Sequence, residues 1–458
     1  MFVNICKAIK NHNNSLKFNL IIHMKKKLLI AFLSISILGF SQNKYQKMDS
    51  LLTYLNQNNK FMGSLSLREG NKIVFSKAYG FADVDKNIKA DNVFKYKIGS
   101  ITKTFTATII MQLIEEKKLR LESKLIKYYP KVQNAAKISI SDLLHHRSGI
   151  LDYINQDSLS IEDFKSADLK DIIYSKINNY ESIFEPNTQF LYSNSNYFIL
   201  GGIIEKITRK SFLENVQERI VKKLDLKNTY YPSEKINTSN KECYSYIFDG
   251  TNWKKTDEWA ADLAYAAGEI IATPDDLTEF MHSLFNGKLV KKTSLEQMKE
   301  LKDGYGIALM QFPFGERRFY GHTGGIESFR SVVGYYPADD LCVSLIVNGE
   351  NFNRNDIMVG ILSIYYKIPF PFPNFDTIDH SVLQKYVGTY ASSNLPLKIT
   401  ISIIKDQLIA QATGQSSFAL TPKNETEFVF SAGGIEMIFE DQSFTLKQGG
   451  QRFKFTKE

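Results

Sequence analysis

Ser100 and Lys103 stand three residues apart in Lys97-Ile98-Gly99-Ser100-Ile101-Thr102-Lys103, at the head of a segment with helical periodicity. Bulky apolar side chains at Ile101, Phe105, Ile109, Leu113 and Ile114 recur at three- and four-residue steps, which predicts a helix over residues 101–114. Positions i and i+3 share a helix face, so the Lys103 amine can reach the Ser100 hydroxyl. A serine hydroxyl is a poor nucleophile until a neighbouring base takes its proton, and lysine serves when its surroundings depress its pKa. The start of a helix also offers free backbone N–H groups and partial positive charge to an oxyanion. These residues suit attack on an acyl carbonyl. The plain structural alternative is an N-cap serine beside a solvated lysine. The same spacing recurs at Ser41 and Lys44 and at Ser402 and Lys405. The first follows an apolar leader, and the second lies in a period-2 strand, where residues three apart face opposite sides.

Two further short motifs can give Ser100 company: Tyr192-Ser193-Asn194, and Gly321-His322-Thr323-Gly324-Gly325. A phenol beside a cation is biased toward phenolate, and a phenolate or a neutral amine can accept a serine proton. Tyr-x-Asn also occurs at Tyr54 and Tyr153, and Lys292-Thr293-Ser294 reads more simply as a helix start. His145 and His146 are sequence neighbours, poorly placed to bind one metal together, and read as structural. Neither H-E-x-x-H, a phosphate-binding glycine loop nor G-x-S-x-G is present.

The elements that must position these residues follow from patterning. A hairpin is predicted from Ser64–Leu67 and Lys72–Phe75 across Glu69-Gly70-Asn71. Residues of about 120 to 300 read as mainly helical. Strand character returns at Gly304–Leu309, Phe329–Tyr336 and Leu341–Val347. Strands at both ends with helices between imply one sheet carrying a helical insertion. Pro369, Pro371 and Pro373 mark a stiff linker. Beyond it, short alternating segments at 397–401, 427–430, 435–439, 443–446 and 452–455 predict a small antiparallel sandwich or barrel. The expected domains are a leader at 1–41, an α/β domain at 42–368, a linker at 369–375 and an all-β domain at 376–458.

Met24-Lys25-Lys26-Lys27 and the apolar stretch to Phe40 have the form of a secretory signal peptide, with cleavage before Gln42. About thirteen apolar-biased residues fall short of the roughly 20 that span a bilayer, so no stable membrane span is expected after cleavage. Six lysines and no acid lie in residues 1–41, so the remainder holds 57 − 6 = 51 basic against 49 acidic residues, a net charge of +2. That balance, with no clustered basic face, argues against a nucleic-acid partner. Cys243 and Cys342 remain beyond the leader, readable as a disulfide or as two buried thiols.

The ordered motifs S-x-x-K, Y-x-N and H-T-G, with flanks Leu143-Leu144-His145-His146-Arg147-Ser148-Gly149-Ile150, Leu200–Glu205 and Ala267–Thr273, resemble the penicillin-recognising serine hydrolases, in the branch of class C β-lactamases, D,D-peptidases, D-aminopeptidases and esterases. The resemblance covers roughly residues 45 to 365. It implies an antiparallel sheet flanked by helices (α/β, α+β) with an all-helical subdomain and no cofactor. On matching positions it implies Ser100 as acylated nucleophile, Lys103 and Tyr192 sharing general-base and general-acid work, and Asn194 bonding the lysine or a substrate amide. Backbone N–H groups of Ser100 and Gly325 would form the oxyanion hole, with His322, Thr323 and Gly324 lining the substrate. His322 departs from the lysine usual in β-lactamases, and a mostly neutral imidazole is a weaker anchor for a β-lactam carboxylate. The C-terminal segment resembles appended lipocalin-like domains, with Tyr386-Val387-Gly388-Thr389-Tyr390 as its opening mark. The expectation is an exported serine hydrolase, periplasmic or secreted, acting on small amides or esters such as D-amino-acid peptides. Its alternatives are a β-lactamase or D,D-carboxypeptidase, and a catalytically silent ligand-binding protein.

Overall fold

The structure, a computed structural model, describes residues 44–154, 168–232, 235–260, 262–375, 378–404, 406–415, 417–430 and 433–458. The leader with its cleavage site lies outside these residues, as does Lys405. A helix over residues 44–57 leads into the first strand.

Phe61–Glu69 (β1) and Lys72–Tyr79 (β2) form the expected hairpin, with Gly70 in the left-handed region that its tight turn requires. The other strands come from the far side of the helical insertion: Met310–Phe314 (β3), Arg317–Ile326 (β4), Phe329–Tyr336 (β5) and Leu341–Glu350 (β6). They pair antiparallel in the order β2-β1-β6-β5-β4-β3, with Leu65 opposite Leu345. A short hairpin, Tyr246–Phe248 with Trp253–Lys255, joins β6 at Gly349. The strand expected at Gly304–Leu309 begins instead at Met310. Gly304 at φ 82° and Ala308 at φ 52° leave the extended region and fold that segment into turns.

The 3-10 turn Gly99–Ile101 opens into Thr102–Glu115 (α1). Periodicity predicts one apolar face, yet every residue from Thr102 to Leu113 is buried. The threonines make this tolerable. Thr104 and Thr108 donate to the carbonyls of Ile101 and Thr104, and Thr106 to that of Ala266, each at 2.7 Å. Their hydroxyls thus enter the core with partners. Asn194–Thr208 (α2) packs on Tyr265–Gly268, where a Cβ on Gly201 would stand 2.4 Å from the Ala266 Cβ. Pro274–Phe285 (α3) starts where Thr273 accepts the Asp276 N–H, with Pro274, Asp275 and Asp276 in its first turn. Phe280 of α3 stacks on Phe105 of α1 at 3.9 Å. The core lies between these helices and one sheet face, which contributes Phe329, Val333, Cys342 and Ile346. Cys243 and Cys342 are both buried free thiols. Among the described residues, no helix is long and apolar enough to cross a membrane.

Residues 369–375 have no regular structure. Among the described residues the C-terminal domain has nine strands: Gly388–Ala391 (β7), Lys398–Ile404 (β8), Gln407–Ala412 (β9), Phe418–Ala419 (β10), Thr421–Pro422 (β11), Glu427–Phe430 (β12), Ile435–Phe439 (β13), Ser443–Gln448 (β14) and Gln451–Lys457 (β15). Their order is β10-β9-β8-β7-β15-β14-β13-β12-β11. The two outermost strands are separated in the chain by Leu420 alone, so the sheet has curled into a nearly closed barrel. Phe418 of β10 stacks on Phe430 of β12 at 4.5 Å. Its own core includes Tyr390, Phe428, Phe439, Phe444 and Phe455.

Candidate active site

The start of α1, the start of α2 and the strand β4 deliver the motif residues to one place. Tyr192 immediately precedes α2, whose N-cap is Ser193 and whose first residue is Asn194. Ser100 caps no helix: the cap position of α1 is Ile101, without a side-chain bond. Lys103 is fully buried. The reading of a capping serine and a solvated lysine is therefore excluded.

The Ser100 Oγ is approached from two sides, by Lys103 Nζ at 3.0 Å and by the Tyr192 hydroxyl, which donates to it at 2.9 Å. Lys103 Nζ also donates to Asn194 Oδ1 at 2.8 Å and to the Ala267 carbonyl at 2.7 Å. A neutral amine has two N–H bonds and one lone pair. With Asn194 and Ala267 taking the two donors, the lone pair is left to face Ser100. Burial lowers the Lys103 pKa to about 7, against the opposing pull of the Asp152 charge. Desolvation pushes the Tyr192 phenol well above its usual range, only partly offset by its bond to Ser100. At neutral pH the phenol keeps its proton, and the amine is the group able to accept one. Desolvation thus works against the phenolate that a neighbouring cation would favour.

Glycines bring together the two segments expected to form the oxyanion hole. A Cβ on Gly99, at φ 55°, would lie 2.7 Å from the Gly325 nitrogen and 2.9 Å from its carbonyl. A Cβ on Gly324 would lie 2.0 Å from the Ile98 carbonyl oxygen. Gly324 therefore serves close backbone approach. The neighbouring strand β3 pairs with β4 only as far as Gly321, leaving the outer edge from His322 to Ile326 without a partner strand among the described residues. Thr323 is half-buried and Gly325 exposed on this edge. The backbones of Gly99 and Gly325, at the two expected oxyanion-hole donors, are thus in close approach.

His322, expected as a substrate contact, is bonded within the protein. It is buried, its Nδ1 donates to the Thr323 carbonyl at 2.5 Å, and its Nε2 accepts from the Tyr305 hydroxyl at 2.8 Å. Burial, with the nearby Lys103 charge, lowers its pKa to about 3. Both ring nitrogens are engaged within the protein, and the ring is neutral. Asn194 holds Lys103 through Oδ1 at 2.8 Å and donates from Nδ2 to Asp152 at 2.9 Å. Asp152 and Ala267 are the site residues that sequence reasoning missed. Ala267 opens one of the quoted flanks. Asp152 is a carboxylate just beyond the apolar pair Ile150-Leu151, and that isolation is its only signal.

A family model described as Beta-lactamase matches residues 54–361. Penicillin-binding protein 4* of Bacillus subtilis (strain 168) is 24% identical over 445 residues, covering 89% of this chain and 98% of that protein. A teichoic acid D-alanine hydrolase of Staphylococcus aureus is 30% identical over 334 residues, 71% of this chain and 78% of that one. An octameric penicillin-binding protein homologue from Pyrococcus abyssi superimposes with a TM-score of 0.66 at 21% identity, over 90% of this chain and 99% of that one.

Proposed function

Because the chain belongs to the Beta-lactamase family and is a serine hydrolase, we propose that it cleaves small D-aminoacyl esters or amides through an acyl-Ser100 intermediate. The supporting observation is the double approach to Ser100 Oγ, by a buried amine whose pKa is about 7 and by a phenol that stays protonated. Neutral Lys103 takes the Ser100 proton as Oγ attacks the carbonyl carbon, and the carbonyl oxygen gathers charge between the Ser100 and Gly325 N–H groups. Tyr192 gives its proton to the departing alcohol or amine and is reprotonated from Lys103. A water then attacks the acyl-Ser100 carbon, its proton passing to the same base, and the acid leaves as Ser100 regains its hydrogen.

Two observations favour this substrate class. Neutral, internally bonded His322 supplies no positive charge to fix a substrate carboxylate, and one relative is named for D-alanine release. Likeness to a penicillin-binding protein over nearly both full lengths favours a second reading, D,D-carboxypeptidase or β-lactamase. The signal-peptide pattern of residues 24–41 supports export, with periplasmic or secreted action. Intact mass after fluorophosphonate treatment is the first test: one adduct on the wild type and none on Ser100→Ala is expected. A wild type that takes up no such probe would instead be a silent binding protein. Rates on a D-alanyl ester, a D-amino-acid amide and a chromogenic cephalosporin then rank the substrates, and a cephalosporin preferred over both others would overturn the proposed class.

A further inference from the structure

His146 touches three consecutive residues of the segment that carries the candidate acid. Its carbonyl accepts the Leu191 N–H at 3.0 Å, its ring lies against the Tyr192 ring at 4.2 Å and 29°, and its Nδ1 accepts the Ser193 N–H at 3.1 Å. We propose that His146 is a positioning residue for Tyr192, clamping residues 191–193 so that the phenol hydroxyl meets Ser100 Oγ. The inference rests on the reading that Tyr192 acts on Ser100.

The chemistry of the ring supports it. A backbone N–H only donates, so Nδ1 accepts and the proton of the neutral imidazole sits on Nε2. Among the described residues that Nε2 is buried without a hydrogen-bond partner, beside the rings of Tyr192, Tyr197, Tyr305 and Phe190. A phenylalanine would fill this aromatic box and leave no orphaned N–H. It could not hold the Ser193 N–H. His146 also adopts φ 56°, a conformation uncommon outside glycine and asparagine-like residues, and this turn aims its carbonyl and its ring at the same segment. Neighbouring His145 does none of this: its Nδ1 donates to the Ser141 carbonyl at 2.8 Å, one turn back on its own helix. The box also reaches the third motif, since Tyr305 packs edge-on to His146 at 4.8 Å and donates to His322.

The test is a double-mutant cycle between His146 and Tyr192, run on the ester that the wild type turns over. Fluorophosphonate labelling of the wild type comes first. If the wild type is not labelled, the proposed hydrolysis fails and this inference with it; if it is labelled, the remaining arms judge His146 alone. His146→Ala is expected to lower kcat about 100-fold, the scale of a misplaced catalytic group, with KM within about twofold. His146→Asn keeps an acceptor near the Nδ1 position and tolerates the positive φ, and should recover about tenfold of that loss. In a Tyr192→Phe background, removing His146 should cost no more than about twofold further, because its partner hydroxyl is already gone. Multiplying losses in the double variant, or an unchanged kcat in His146→Ala, would overturn the assignment. Should His146→Ala fail to fold, the same cycle is run with His146→Asn, and additivity there overturns it equally.

Discussion

Lys103 sets how the site should respond to pH. An amine acting as base must be neutral, and burial brings its pKa to about 7, so the acylation rate should climb with pH through that value and level above it. Burst kinetics across pH 5.5 to 9 would show this; a flat profile would remove Lys103 from the role of base. Asp152 opposes the burial effect by favouring the ammonium. Asp152→Asn should therefore move the inflection to lower pH. Stability carries a second signature of the same group. Between about pH 7 and the ordinary lysine value of 10.5, the unfolded chain binds a proton that the folded chain does not, so stability rises with pH there by about 1 kcal/mol per unit. Denaturant titrations at several pH values should find that slope reduced in Lys103→Met. That Ser100, Lys103 and Tyr192 come together was legible because short spacings and motif order carry them. Asp152 was not, because it meets Asn194 across 42 residues of chain, and no spacing encodes that.

The elements owe their placement to contacts that leave uneven traces in the sequence. α1 was legible from its apolar period, but its burial on all sides was not. It depends on threonine hydroxyls finding partners such as the Ala266 carbonyl, 160 residues away. Phe105, stacked on Phe280 at the centre of this helix, should cost about 3–5 kcal/mol when cut to alanine, measured by chemical denaturation. Gly99 is a sharper case. Alanine there meets the Gly325 backbone at 2.7–2.9 Å in a left-handed conformation, and neither side is a flexible side chain. Gly99→Ala should lower fluorophosphonate labelling of Ser100 about 100-fold by parting the Ser100 and Gly325 N–H groups proposed as oxyanion donors; labelling at the wild-type rate would show that they need not be so close. The turns at 304–309 defeated an apolar pattern that read as strand, because Ala308 takes a conformation its side chain does not advertise.

At the scale of the whole molecule, one hydrophobic core of described residues precedes the proline-rich segment in the chain and another follows it. Limited proteolysis should cut first within or just after residues 369–375, and the C-terminal fragment should retain its own cooperative unfolding transition. One that unfolds on release would show that the barrel depends on the rest. The all-β character of this half was legible from alternation. Near-closure was not, since it depends on how far nine strands curl rather than on any one strand.

The pairing of β1 with β6 has a consequence in time. Leu65 meets Leu345, so at about 5–20 residues per second the ribosome supplies the partner of the first strand roughly 14 to 56 s after the strand itself. Until then β1, whose residues from Phe61 to Arg68 are all destined for burial, lacks its central neighbour, and the sheet that holds β4 against Ser100 cannot close. The barrel repeats the delay, since β7 pairs with β15 at the end of the chain. A polypeptide built this way keeps its central sheet open, and its chain threadable, for most of its synthesis.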